Sequence, residues 1–131
     1  MKIGLDTSVV LRLLLGEPPD QTARAVAFLD HVRLRGDEAV ISDLVAAETY
    51  FALQHHYGVS KRDALMGLRR LLTGGEIAPV GSLAEVLAVD GLATAKPGFV
   101  DRLIHAAYLS SSAEMVSFEK ATGRLPSARV L

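Results

Sequence analysis

The 131-residue chain contains no cysteine. That absence excludes thioredoxin-type redox chemistry, cysteine zinc sites, a cysteine nucleophile and a disulfide-stapled secreted scaffold. It permits a reducing cytosol, and a cytoplasmic location is the expectation. Long apolar runs are missing as well. The longest stretches without a formal charge, residues 49–60 and 103–113, fall short of the roughly 17 residues a membrane helix needs. Asp6 and Arg12 interrupt what would have to be the apolar part of a signal peptide, so the N-terminus reads as a mature strand. No proline- or serine-rich linker and no repeat divides the sequence, which predicts a single domain over residues 1–131. What is present suits that reading. Half of the residues are apolar, and a chain of this size buries roughly two-thirds of its unfolded surface, enough for a core without staples. With 14 basic against 15 acidic residues the net charge is −1. An even spread of that charge would argue weakly against a polyanionic partner, so the placement of the acids matters more than their sum.

Short apolar segments alternate with helical patterns. Residues 2–5 read as a strand, and Asp6-Thr7-Ser8 starts a helix that Gly16 closes. Pro18, Pro19 and Asp20 open a second helix, with apolar positions at Ala23, Val26, Ala27, Phe28 and Val32. Residues 39–41 form a second strand. Ser42 caps a third helix over residues 43–57, and Ser60 to Asp63 has capping-box spacing for a fourth. A third strand over 77–80, a helix over 83–93, another over 99–110, a strand over 114–118, a helical turn at 119–123 and a last strand at 128–131 follow. Strands alternating with helices predict a parallel sheet covered on both faces. In such sheets ligands bind beyond the carboxyl ends of the strands.

Four acids stand out by position. Asp6 directly follows the first strand, where it can be a helix cap or a site residue. Glu48 has Leu44, Val45, Phe51 and Ala52 three and four residues away, which places it on an apolar stripe. Acids are rarely buried unless paired or bound to a metal. Asp101 lies in the first turn of its helix, favoured there by the helix dipole, and shares a face with Ile104, His105 and Tyr108. Glu119 follows the fourth strand as Asp6 follows the first. Two acids ending strands and two on following helices are what a parallel sheet would gather at one edge. Ionised carboxylates held together repel unless a cation neutralises them. All-oxygen ligation without cysteine or a histidine triad points to Mg2+ or Mn2+ rather than Zn2+. One or two such ions can activate water and neutralise a phosphoryl group, so the natural substrate is a phosphodiester.

The segments KIGLDTSVVLRLL, ISDLVAAETYFAL, FVDRLIHAAYL and VSFEK, in that order, resemble the PIN-domain ribonucleases, and specifically the VapC-type toxins of type II toxin–antitoxin systems. The resemblance implies an α/β, PIN-like three-layer sandwich, with a short parallel sheet of four to five strands flanked by about seven helices. It further implies a Mg2+- or Mn2+-dependent endoribonuclease toxin that cuts tRNA, rRNA or mRNA through a metal-activated water, leaving a 5′-phosphate and a 3′-hydroxyl. Residue by residue it assigns Asp6 and Asp101 to the principal metal. Glu48 and Glu119 would act directly or through water, with Thr7, Ser8 and Ser117 in support. Glu119 stands where the family more often has Asp, and Gly98 where many relatives carry another acid. The implied partners are a cognate antitoxin and a second copy of the chain in a homodimer. The alternative is a catalytically weak PIN-like module that binds RNA or an antitoxin.

The remaining features are weaker. Adjacent His55 and His56 fit no metal spacing and suit a helix end. His105 can hydrogen-bond Asp101 or be a satisfied buried histidine. Arg12, Arg102, Lys120 and Arg124 fall near the acidic positions and can meet RNA phosphates, whereas Lys61-Arg62 and Arg69-Arg70 read as solvated faces. Four phenylalanines and three tyrosines are too dispersed for a stacking platform, so RNA recognition would rest on backbone and shape. Setting aside the four acids leaves 11 acidic against 14 basic residues, and the overall charge then no longer opposes a nucleic-acid partner. The apolar half also leaves material for a dimer face and an antitoxin groove on the second to fourth helices.

Overall fold

A computed structural model describes all 131 residues. The α/β class expected from the alternation is observed: five short strands, every pairing between them parallel, with six α-helices and one 3-10 turn. The chain divides into two compact units, Met1–Val80 and Gly81–Leu131. No helix is long and apolar enough to cross a membrane.

In the first unit the order is β1 (Lys2–Gly4), α1 (Thr7–Leu15), α2 (Pro19–Leu34), β2 (Glu38–Ile41), α3 (Asp43–Tyr57), α4 (Lys61–Thr73) and β3 (Ile77–Pro79). The three strands form one parallel ladder in the order β1-β2-β3, with Ile3 opposite Ala39 and Ala39 opposite Ile77. The central strand carries Ala39, Val40 and Ile41, all buried. Local chemistry fixes the helix ends. The Ser42 hydroxyl accepts from the Val45 N–H at 3.2 Å and the Ser60 hydroxyl from the Asp63 N–H at 3.1 Å, as N-caps do. Gly16 and Gly58 end α1 and α3 in the left-handed conformation, at φ 72° and 65°, which a side chain would oppose. Because parallel strands all end at the same edge, the segments leaving β1 and β2 start there together: Asp6 follows β1, and α3 with Glu48 follows β2.

Helix faces depart from expectation. In α2 the buried residues are Leu29 and Val32, with Thr22 and Ala25 half-buried, while Ala23, Val26, Ala27 and Phe28 are exposed. Two apolar stripes compete in this helix, and the 22-25-29-32 row is the one that turns inward. In α3 the inward row is Ala46, Thr49, Tyr50 and Leu53. Glu48 therefore lies on an exposed face, beside Leu44 at 78% exposure and Phe51 at 46%. Of the four apolar neighbours that suggested burial, Leu44 and Phe51 are themselves at the surface and Val45 and Ala52 are half-buried.

One buried group on α3 is unsatisfied. The Thr49 hydroxyl is fully buried and has no hydrogen-bond partner, and leaving such a donor desolvated is destabilising. Thr49→Val keeps the shape and removes the hydroxyl. It should stabilise the protein by about 1 kcal/mol, raising the midpoint of a thermal melt followed by circular dichroism by about 4 °C. An unchanged or lower midpoint would show that the hydroxyl is satisfied in solution.

The second unit runs α5 (Leu83–Leu87), α6 (Phe99–Ser110), β4 (Met115–Ser117), the 3-10 turn Lys120–Arg124 and β5 (Ala128–Val130). β4 and β5 pair in parallel, Val116 opposite Arg129, so the five strands fall into a three-stranded and a two-stranded ladder. α5 stops six residues before the expected end because the chain turns at Asp90-Gly91, where Gly91 takes φ 65°. Its buried residues are Leu83, Val86 and Leu87, and α6 buries Phe99, Leu103 and His105. Between the 3-10 turn and β5 the approach is close, since a Cβ on Gly123 would stand 3.2 Å from a Val130 methyl carbon.

Candidate active site and its charged side chains

Asp6 sits at the N-cap position of α1 with extended backbone, φ −79° and ψ 161°, yet its side chain makes no capping hydrogen bond. The α1 start is held instead by the Asp6 carbonyl, which accepts from the Val9 and Val10 N–H groups, each at 3.1 Å. The carboxylate is exposed and enters no ion pair. A cap role thus does not account for this acid, in contrast to Ser42 and Ser60. Thr7 beside it is buried and Ser8 is exposed. Glu48 is likewise exposed and free of ion pairs.

Asp6 opens into a cleft of about 660 Å3 within the first unit. Its floor is the carboxyl end of β1, and its walls are Ser8, Val9 and Arg12 of α1 and Gln21, Arg24, Ala25 and Phe28 of α2. The α2 positions recur at the helical three- and four-residue spacing, one continuous stripe. Arg12 is half-buried, and its Nε donates to the Gln21 amide oxygen at 2.6 Å. Arg24 is exposed, without a hydrogen bond or ion pair. Sequence reading singled out Arg12 and passed over Arg24 and Gln21. The available signal was the shared stripe with Phe28, hidden because α2 was read for its apolar positions alone.

In the second unit Asp101 occupies the first turn of α6, exposed, with Ile104 and Tyr108 exposed on the same face. His105 turns away. It is buried, and its Nε2 stands 2.6 Å from the Pro126 carbonyl oxygen. A carbonyl only accepts, so Nε2 carries the proton and donates. His105 therefore ties α6 to the segment before β5 and leaves Asp101 without that partner. Glu119 follows β4 after the exposed Phe118. Its position is set by Ser117, whose hydroxyl accepts from the Glu119 N–H at 2.9 Å, with the buried Thr122 hydroxyl 3.5 Å away. Arg102 Nε donates to the Pro97 carbonyl at 2.7 Å, and Arg124 donates to the Lys96 carbonyl at 3.3 Å. Both arginines brace the loop before α6, whereas Lys120 is exposed.

The acids thus supply oxygen donors with no competing ion pair, the donor type that suits a hard divalent cation. They are divided two and two between the units, and no group of three or more His, Asp or Glu side chains stands together as a metal-holding set. The first unit thus places an acid after its first strand, in a cleft that also holds two arginines. The comparison with family models then identifies the family. The PIN-domain model matches residues 3–126, and the chain belongs to the PIN domain family, a superfamily of nucleic-acid-binding and nuclease proteins. No curated protein and no solved structure matches it.

Proposed function

We propose that this PIN domain binds RNA at the carboxyl end of β1. The observation that carries the reading is the Asp6 cleft: a family acid released from any capping role, facing a cavity with two guanidinium groups. Such a site suits a phosphodiester chain, which carries a negative charge at every linkage.

A second reading, metal-dependent hydrolysis of the bound RNA, is favoured by the unpaired state of the four exposed acids. In it Asp6 and Asp101 would be the acids that hold the principal Mg2+ or Mn2+, with Glu48 and Glu119 acting directly or through water. A bound ion of this kind supplies an acidified water and neutralises developing charge on the phosphoryl group. The chain's own residues do the rest. Ser117 fixes the backbone on which Glu119 rides, and Ser8 lines the cleft that receives the phosphate. Incubating total RNA with the partner-free protein in Mn2+ or Mg2+, against EDTA, separates the readings. Metal-dependent cuts with 5′-phosphate ends support hydrolysis, retention of intact RNA supports binding alone, and neither would defeat both.

The partners expected of a VapC-type toxin, a cognate antitoxin and a second copy, belong to the same proposal. Its support is the exposed apolar side chains of the first unit: Leu44 and Phe51 on α3, and Val26, Phe28 and Leu34 on α2. Such surface is commonly covered by another chain. Light scattering at micromolar concentration should give twice the 14.0 kDa chain mass, and a monomer would remove the homodimer.

A further inference from the structure

We infer that Arg12 and Arg24 form a phosphate seat in the Asp6 cleft, taking a backbone phosphate of single-stranded RNA next to the linkage that lies at Asp6. The inference rests on the RNA reading above and gives it specific binding residues. Three features carry it. Arg12 is oriented in advance, since its Nε is committed to the Gln21 oxygen at 2.6 Å while its guanidinium enters no ion pair. A guanidinium held this way loses little freedom on meeting an anion. Arg24 lines the same cavity three residues along the stripe from Gln21 and is uncommitted. The other α2 arginine differs: Arg33 pairs with Asp30. Finally, two cations against the single acid Asp6 leave the cleft net positive, on a chain whose total charge is −1.

A path away from the seat is also present. Arg12 lines a second cavity of about 410 Å3 with Glu17, Pro18, Pro19 and Tyr57. Arg12 therefore borders both cavities, and a strand leaving the seat past Arg12 would reach the exposed Tyr57 ring, a face on which a base can stack.

The test is fluorescence anisotropy with a short, end-labelled, mixed-sequence single-stranded RNA, in EDTA so that the RNA stays intact. Arg12→Gln and Arg24→Gln should each weaken binding about fivefold at low salt. Each should also lower the slope of log affinity against log salt by about 0.7, the value for one phosphate contact on a single strand. Arg12→Lys, which keeps the charge but loses the Nε bond, should keep the slope while binding less tightly. Arg62→Gln, at an exposed position of α4, should change nothing, and thermal melts establish that each variant is folded. Wild-type binding that Arg12→Gln and Arg24→Gln leave unchanged in affinity and slope would overturn the seat and leave the RNA reading standing. Absence of wild-type binding would overturn both.

Discussion

On the hydrolysis reading, Asp6→Asn should abolish metal-dependent RNA cleavage, by more than about a hundredfold, while leaving stability within about 0.5 kcal/mol of the parent. The two halves of this result have separate causes. Asparagine keeps the size of the side chain and removes the charge that would favour a divalent cation. Stability is spared because the Asp6 side chain makes no cap bond; the backbone carbonyl holds the first turn of α1, and the substitution does not touch it. The same variant should bind RNA in EDTA at least as well as the parent, since it removes a negative charge from beside Arg12 and Arg24. Equal cleavage rates for parent and variant would sink the role of Asp6. A large drop in melting temperature would show that its side chain is structural after all.

On the same hydrolysis reading Asp101→Asn carries the second large effect, a loss of cleavage of similar size. Asp101 belongs to the second compact unit and Asp6 to the first, so this variant asks whether hydrolysis needs both. A modest cost in stability is expected, about 0.5 kcal/mol, because an acid in the first turn of α6 complements the helix dipole. Cleavage that survives Asp101→Asn but not Asp6→Asn would confine the chemistry to the first unit. Loss in both variants, with retained circular dichroism, would show that hydrolysis needs both acids.

Most element boundaries were legible from local chemistry. Ser42, Ser60, Gly16 and Gly58 act where their residue types require, and α3 and α6 span the expected residues. Helix faces were harder to read because α2 and α3 carry apolar side chains on more than one side. Leu44 and Phe51 satisfy the same periodicity as a core row, yet only the 46-49-50-53 row is buried. Periodicity finds candidate faces, and packing chooses among them. The candidate acids were legible by position after strands and on the helices that follow. That Asp6 would decline its cap, or that His105 would turn to the Pro126 carbonyl, depends on side-chain torsions and long-range partners that spacing does not encode. Arg24 was missed for a related reason. Its value comes from Gln21 on its own helix and from Arg12 on α1 across the cleft, and the second neighbour is not encoded by spacing within α2.

Ultraviolet cross-linking of the purified chain to labelled single-stranded RNA, followed by peptide mapping, tests the central claim most directly. The account predicts cross-linked peptides covering the β1–α1 junction around Asp6 and the α2 stripe from Gln21 to Phe28, with loss of those cross-links in the Arg12→Gln, Arg24→Gln double variant. No cross-link above background, or cross-links confined to α4, would contradict it.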